Sequence, residues 1–240
     1  MRRFVFSLLV LTVGLLLVPA SLAQPSPQLL FAFSPSGFQQ LVLTTGEGTV
    51  VIDAYSTGWW DNTGFHQAAN TNYAVGYCAA PCWAGDPSGS SGHDYFAFDL
   101  AALGGQKVTS AILNIGNPLS GYLDSFASAL YSTYDVSTAN GTLTADGSGQ
   151  VGIYGDLGSG TLYGSYLASA ADDGSQIFFS LSQDAIDAIN AAAAGNQQFA
   201  IGGSLQIQDV TPTIPEPGSL VLMGSGLLGL AGAIRRKLSL

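Results

Sequence analysis

Most of the side chains that could do chemistry lie in one stretch of the chain, between Trp59 and Asp94. This stretch contains both cysteines, both histidines and all three tryptophans. It has little of the alternating apolar pattern that predicts strands, and connections of this length are usually functional or disordered. It is therefore the first candidate for a disulfide, a metal site, a catalytic set or a ligand surface.

The two cysteines, Cys78 and Cys82, are separated by Ala-Ala-Pro. In an exported protein an oxidising compartment favours a disulfide. Such a short ring is feasible where the two Cα atoms come within about 4.4 to 6.8 Å, and Pro81 helps to turn the chain. The spacing predicts a disulfide that shapes the loop, with little stabilisation from loop closure.

Metal binding is the alternative for the same residues. Cys78 and Cys82 with His66 and His93 make a Cys₂His₂ set, which zinc accepts, but one histidine precedes the cysteine pair and the other follows it, unlike a zinc finger. Calcium is a second alternative, at Asp172-Asp173-Gly174 or within 135–140, although no segment has EF-hand spacing. We expect no metal or cofactor, with structural calcium as the alternative and solvated turns as the favoured interpretation.

Aromatic residues crowd the same stretch and allow two interpretations. Flat rings beside amides suit sugar rings, so Trp59, Trp60 and Trp83 are candidate sugar contacts. Alternatively the rings anchor a long loop to the domain, since each buries roughly 150 to 250 Å². Neighbouring side chains fit both interpretations: Phe65, Tyr73, Tyr77, Asn62, Asn70 and Asn72.

Catalytic patterns are weak. No serine lies in G-x-S-x-G, so a nucleophile elbow is absent from the sequence. A glycosidase needs two opposed carboxylates, and nothing singles out a pair; Glu47 is the one glutamate before the C-terminal segment. A His/Asp/Ser set could be drawn from His66 or His93, but a chain this rich in Ser and Asp offers many such sets. We predict no catalytic residues and no enzymatic activity.

The elements that must position these residues are short strands between turn-forming clusters of Gly, Asn, Asp and Ser. This pattern predicts an all-β antiparallel sandwich. One helix is predicted over 183–194, with Ser182 as N-cap, Asp184 and Asp187 in its first turns and Gly195 as C-cap. The predicted strands are 29–33, 38–43, 49–55, 72–77, 95–100, 108–115, 125–134, 150–154, 161–168, 176–181 and 199–207.

Charge separates the body of the chain from its ends. The chain has 6 Lys and Arg against 16 Asp and Glu, for a net charge of −10. Five of the six basic residues lie at the two ends, which leaves Lys107 against fifteen acidic residues over 24–214, a net charge of −14. Nucleic acid binding needs clustered Lys and Arg, so the body excludes it, and an anionic membrane surface is excluded for the same reason.

The first 23 residues read as a secretory signal peptide. Arg2 and Arg3 precede an apolar run over 4–18, and Ser21-Leu22-Ala23 provides a small-x-small cleavage site. The apolar run of about 15 residues is short for a membrane span, which needs about 20. We expect signal peptidase to remove residues 1–23, with a retained anchor as the alternative.

The C-terminal end has three parts in order. Pro215-Glu216-Pro217 precedes an apolar, glycine-rich segment over about 218–234, which is followed by Arg235-Arg236-Lys237. A helix of 17 residues would be about 25 Å long, close to a membrane core of about 30 Å, and the basic residues would stay in the cytoplasm. The predicted organisation is a tether over 24–28, a sandwich over 29–207, a linker over 208–214 and this signal over 215–240.

These three parts resemble the PEP-CTERM sorting signal of Gram-negative bacteria. The resemblance implies recognition of Pro215, Glu216 and Pro217 by an exosortase, a membrane-embedded enzyme resembling cysteine transpeptidases, with Arg235, Arg236 and Lys237 as the basic stop. A membrane tail that is never cut is the alternative. The body is similar to a group of PEP-CTERM proteins through the segments 57–66, 72–73, 95–100 and 154–160, which implies a jelly-roll-like sandwich and no particular activity.

The sequence thus predicts a protein exported across the inner membrane, held transiently by its C-terminal helix and then displayed at the surface or released. The resemblance implies a setting of extracellular polysaccharide, in which the body has a structural or interaction role in the matrix. A carbohydrate-binding module that uses the Trp-rich stretch is the alternative, and a secreted hydrolase is the second alternative.

Overall fold

The predicted strand pattern corresponds to ten strands in the computed structural model, which describes residues 28–30, 39–78, 90–122 and 127–206. An all-β fold is confirmed. The strands are β1 Gln28–Leu30, β2 Gln40–Thr45, β3 Gly48–Asp61, β4 Val75–Cys78, β5 Ser90–Asp99, β6 Val108–Gly116, β7 Ala129–Asp135, β8 Leu162–Ala168, β9 Gln176–Ser180 and β10 Gln198–Gln206. The helices are α1 Asn140–Leu143, α2 Val151–Leu157 and α3 Gln183–Ala194, with 3-10 turns at Leu100–Leu103 and Ala170–Asp172.

The strands form a nearly closed sheet in the order β8-β7-β10-β5-β3-β2-β6-β9, with β4 beside β5 and β1 beside β4. The long strand β3 connects its two parts, because 48–53 pair with β2 and 54–61 pair with β5, both antiparallel. The register shifts between Ala54 and Ser56, and a bulge of this kind bends a strand and increases its twist. β3 therefore turns from one part of the sheet to the other at Tyr55.

Strand β5 is buried on both faces, which explains its continuous apolar run. Phe96 and Phe98 face the main core, whereas Tyr95 and Ala97 belong to a second, smaller cluster that includes Trp60. A strand covered on both sides loses the alternation of apolar and polar residues. The other members of the smaller cluster come from α1, α2 and β10: Leu143, Ile153, Leu157 and Ala200.

Helix α3 agrees with its prediction in bounds and caps. The Ser182 side chain accepts a hydrogen bond from the Ala185 N–H, and Gly195 follows as C-cap. Ile186 and Ile189 are buried against the core. The Asn190 carboxamide both accepts from the Val108 N–H (2.8 Å) and donates to the Val108 carbonyl (3.0 Å), which fixes α3 to the start of β6.

Two predictions of elements are wrong. The segment 150–154 is not a strand, because Ile153 and Leu157, four residues apart, bury one face of helix α2. The stretch 59–94 has more strand than predicted, since β3 extends to Asp61 and β5 begins at Ser90. Residues 79–89 lie outside the described part of the chain.

The chain divides into two units, Met1–Leu205 and Gln206–Leu240. The predicted signal peptide over 1–23, the linker over 208–214 and the sorting helix over 218–234 lie outside the described residues. None of the helices within the described ranges combines the length and apolar character needed to cross a lipid bilayer.

Candidate functional site

The two tryptophans at the end of β3 lie inside the protein. Trp59 is 1% exposed and Trp60 is 0% exposed. The Trp60 indole N–H donates to the Leu143 carbonyl at 2.9 Å, and its ring stacks on His66 at 4.9 Å between centroids. Neither ring offers a face to a sugar, so this geometry favours the anchoring interpretation for both. Trp83 lies outside the described residues.

The cysteine pair is described only at its first member. Cys78 ends β4, with its backbone opposite Ser90 of β5, while its side chain and all of Cys82 lie outside the described residues. The disulfide therefore stays a prediction. Among the described residues, no group of three or more His, Cys, Asp or Glu side chains is placed to hold a metal ion.

Both histidine side chains form hydrogen bonds and ring contacts with other residues of the body. His93 stacks on Tyr154 of α2 at 3.9 Å between centroids and 4° between planes, and its Nδ1 lies 2.6 Å from the Tyr154 carbonyl. His66 is 2% exposed, with Nδ1 2.7 Å from the Trp59 carbonyl and Nε2 3.3 Å from the Tyr95 hydroxyl. Burial lowers the pKa of both imidazoles, so both are neutral side chains of the packed interior at pH 7.

His66 also borders a cleft of about 400 Å³, together with Asp146 and Ser148. These are the residue types of a serine hydrolase, which requires a serine hydroxyl hydrogen-bonded to a histidine that a third group orients. A carbonyl oxygen can only accept, so His66 Nδ1 carries the proton and donates to the Trp59 carbonyl. In the neutral ring Nε2 then has no proton, and it accepts a hydrogen bond from the Tyr95 hydroxyl. Both ring nitrogens of His66 are thus hydrogen-bonded to interior groups.

The candidate calcium carboxylates accept hydrogen bonds from the protein. Asp172 accepts from the Tyr166 hydroxyl (2.7 Å) and the Ser169 N–H (2.8 Å), and Asp173 accepts from the Tyr122 N–H. In the other candidate segment, Asp135 accepts from the Thr161 N–H. These contacts are typical of carboxylates that fix turns.

Asp156 fixes the turn that precedes α1, next to the second candidate calcium segment. It accepts hydrogen bonds from the N–H and hydroxyl groups of both Ser137 and Thr138. Burial alone would raise the pKa of Asp156, but these bonds from Thr138 and Ser137 outweigh it and lower the pKa. Its carboxylate is therefore ionised, and its hydrogen bonds stabilise this turn.

Asp94 is a buried acid that the sequence did not single out. It is 0% exposed on β5, and the Tyr131 hydroxyl donates to its Oδ1 at 2.9 Å. No group of the described residues pairs with Oδ2. Burial raises the pKa of Asp94 well above its usual value. Gly203 lies beside this pair, where a Cβ would meet both Asp94 and Tyr131.

A second buried polar group, Asn117, borders a cavity of about 170 Å³. The cavity lies between residues 116–118 and 174–176, with Tyr73 on one side. Asn117 is 6% exposed, and no group of the described residues pairs with either polar atom of its carboxamide. No local motif marks this site, because its two walls are more than fifty residues apart in sequence.

Comparison with known proteins identifies the C-terminal end of the chain. The PEP-CTERM protein-sorting motif matches residues 213–237, a range that includes Pro215, Glu216 and Pro217 and extends through Arg235, Arg236 and Lys237. All of these lie outside the described residues. The search of curated proteins finds no match to the chain. The chain therefore carries a PEP-CTERM sorting signal, which implies export, exosortase processing and a cell-surface or extracellular fate in a Gram-negative bacterium.

Proposed function

We propose that this chain is an exosortase-sorted component of the cell surface or extracellular matrix, in which the β-rich body has a structural or interaction role associated with exopolysaccharide. The match of the sorting motif to residues 213–237 carries this proposal. The association with polysaccharide follows from the resemblance to other exosortase substrates.

The packing of the body supports a role without catalysis. The residues that could have formed an active site, His66 and His93, are held by backbone carbonyls and aromatic rings. Trp60 connects β3 to the end of α1. These side chains build a rigid scaffold, which favours a structural or interaction role over a hydrolase. Burial of Trp59 and Trp60 likewise argues against a carbohydrate-binding module that uses these two rings.

The charge of the body limits its partners. A net charge of −14 over residues 24–214 repels acidic polymers and other copies of the chain. A neutral polysaccharide, a cationic partner or a contact bridged by divalent ions fits this surface.

The sorting step is tested by mass spectrometry of the protein recovered from cells and from medium. Wild-type protein should lack residues 1–23 and the segment after the Pro-Glu-Pro triplet. Replacing Pro215, Glu216 and Pro217 together by alanine, or deleting the exosortase gene, should leave the C-terminal segment attached. The matched control is Ser219→Ala, next to the motif, which should be processed normally. An intact C-terminal segment in the mature wild-type protein would overturn the sorting proposal.

The matrix role is tested by fractionation. The mature protein should sediment with the polysaccharide of the producing strain and move to the soluble fraction when polysaccharide synthesis is deleted. Equal distribution in the two strains would overturn the association with polysaccharide while leaving sorting intact.

A further inference from the structure

Tyr55 lies at the bulge where β3 bends, and its side chain reaches the surface. Ala54 pairs with Phe98 of β5 and Ser56 pairs with Ala97, so Tyr55 is an extra residue between two ladder positions. Bulges redirect side chains and are frequent beside functional sites. The Tyr55 side chain is 50% exposed, so the bulge presents an aromatic ring to solvent.

Two carboxamides hold the hydroxyl of this ring. The Tyr55 hydroxyl donates to Oε1 of Gln198 on β10 at 2.9 Å and accepts from Nδ2 of Asn140 on α1 at 3.0 Å. The same Nδ2 lies 3.4 Å from Gln198 Oε1. Strand β5 lies between β3 and β10 in the sheet. The Tyr55 side chain therefore extends across β5 along the surface of the sheet, and half of it stays exposed.

Each carboxamide has a second polar atom that these contacts do not use. Asn140 bonds through Nδ2 and Gln198 through Oε1, which leaves Asn140 Oδ1 as an acceptor and Gln198 Nε2 as a donor. Within the described residues neither atom has a hydrogen-bond partner, and neither is among the buried polar atoms that lack one. Both atoms are therefore accessible to solvent beside the exposed ring.

The charge near the ring favours a neutral ligand. Asp99 of β5 lies directly opposite Gln198 of β10, and directly opposite residues place their side chains on the same face of a sheet. This carboxylate disfavours an acidic ligand, as does the net charge of −14 over residues 24–214. A cation would be attracted to the carboxylate and to the ring, but it has no use for the N–H donor of Gln198.

We propose that Tyr55, Asn140 and Gln198 bind one neutral sugar unit of a glycan. The face of an aromatic ring is electronegative, so it attracts the C–H groups on one face of a sugar ring. A sugar hydroxyl both donates and accepts, so hydroxyls at the edge of the sugar pair with Asn140 Oδ1 and Gln198 Nε2. The inference rests on the proposed association with polysaccharide and assigns it a site.

The test uses mature protein recovered after export, with neutral oligosaccharides of glucose, mannose, galactose and N-acetylglucosamine as probes. Titration by saturation-transfer NMR should detect at least one of them bound to wild-type protein. Tyr55→Thr removes the ring while keeping a residue that suits strands, and it should weaken binding at least about tenfold. Asn140→Ala should weaken binding about two- to tenfold, as expected for the loss of one hydrogen bond.

Phe178→Thr is the matched control, because it makes the same kind of change at another exposed aromatic residue. Phe178 is 56% exposed on β9, the last strand in the sheet order, which pairs with β6. This variant should bind the oligosaccharides as wild type does. Equal losses in Phe178→Thr and Tyr55→Thr would show non-specific contact with exposed rings and overturn the site.

Thermal unfolding separates loss of the site from loss of the fold. Both Tyr55→Thr and Asn140→Ala should keep a Tm close to that of wild type, because the bonds that they remove lie at the surface. If Tyr55→Thr lowers the Tm strongly, Asn140→Ala decides, since it leaves strand β3 unchanged.

Three results would reject the site. They are no binding to any of the four probes, unchanged binding in folded Tyr55→Thr or Asn140→Ala, and tighter binding of a glucosamine oligosaccharide than of its N-acetylated form. The last result would indicate a cationic partner. Fractionation with polysaccharide is measured separately, so a protein that sediments with polysaccharide but does not bind sugar through Tyr55 rejects the site alone.

Discussion

Replacing Asp94 by asparagine should remove a pH dependence from the stability of the fold. Asp94 is fully buried, and its raised pKa means that the folded state keeps a proton that the unfolded state loses near pH 3.9. The folded state then binds more protons than the unfolded state, so the free energy of unfolding falls as pH rises. The slope is about 1.4 kcal/mol per pH unit between the two pKa values.

The direction of the pKa shift of Asp94 determines the pH range in which the effect appears. The stabilisation from protonated Asp94 is fully present below about pH 3.9 and is lost as pH rises towards the raised pKa of the folded state. Asparagine is close in shape, can accept from the Tyr131 hydroxyl and does not titrate. Asp94→Asn should therefore be about as stable as wild type near pH 4 and more stable at neutral pH.

The assay is urea unfolding of both proteins at half-unit steps from pH 4 to pH 8. The difference between variant and wild type is the informative quantity, because His66 and His93 have lowered pKa values and destabilise both proteins equally as pH falls below about 6.5. Asp99→Asn is the matched control on the same strand. Asp99 caps the Leu100–Leu103 turn, a role that asparagine also fills, so this variant should fold with a stability close to that of the wild type. A constant difference between Asp94→Asn and wild type across the range would show that Asp94 is ionised in the folded state and refute the reasoning.

Three other substitutions test the packing around α2. Trp60→Phe leaves the Leu143 carbonyl without its 2.9 Å donor and should lower the free energy of unfolding by about 1 to 3 kcal/mol in urea titration; no change would mean that the indole N–H contributes nothing. Gly155→Ala adds a methyl group in open space within α2 and should raise the free energy of unfolding by about 0.5 to 1 kcal/mol; a loss would contradict the helix. Asp156→Asn weakens the hydrogen bonds to Ser137 and Thr138 and should flatten the loss of stability on acidification, since the lowered pKa of Asp156 gives stability that disappears as pH falls through it; an unchanged acid limb of the stability curve would contradict this assignment.

Local patterns predicted the elements whose signals lie within a few residues. Helix α3 was predicted at its observed bounds because Ser182, the apolar period of Ile186 and Ile189, and Gly195 all act locally. The strand β3 was predicted only as far as Tyr55. Its continuation depends on a bulge at that residue and on Gly58, which leaves room for the rings of Tyr95 and His66. Those requirements come from distant parts of the chain.

Helix α2 shows why alternation misleads in short segments. Val151 and Ile153 alternate with polar or small neighbours and predicted a strand, while the pair that decides the structure is Ile153 and Leu157. Both side chains pack in the smaller cluster with Trp60 and Tyr95. The helical period at 150–157 depends on these partners from β3 and β5, which a short local segment does not contain.

The role of the aromatic residues near Trp59 also depends on contacts that are distant in sequence. Aromatic crowding near Trp59 and Trp60 predicted either a sugar surface or an anchor, and burial of both rings favours the anchor. The cavity at Asn117 had no sequence signature, because it requires two distant turns and an amide without a protein partner among the described residues.

The charge distribution limits the kind of partner that the body can bind. Five of the six basic residues lie in the two terminal segments, so removal of both segments would leave a body with a single lysine and a strongly negative charge. Such a body repels acidic glycans, and a site for one would need basic groups to overcome that repulsion. A neutral glycan carries no charge for the body to repel, so it could approach the body without such basic groups.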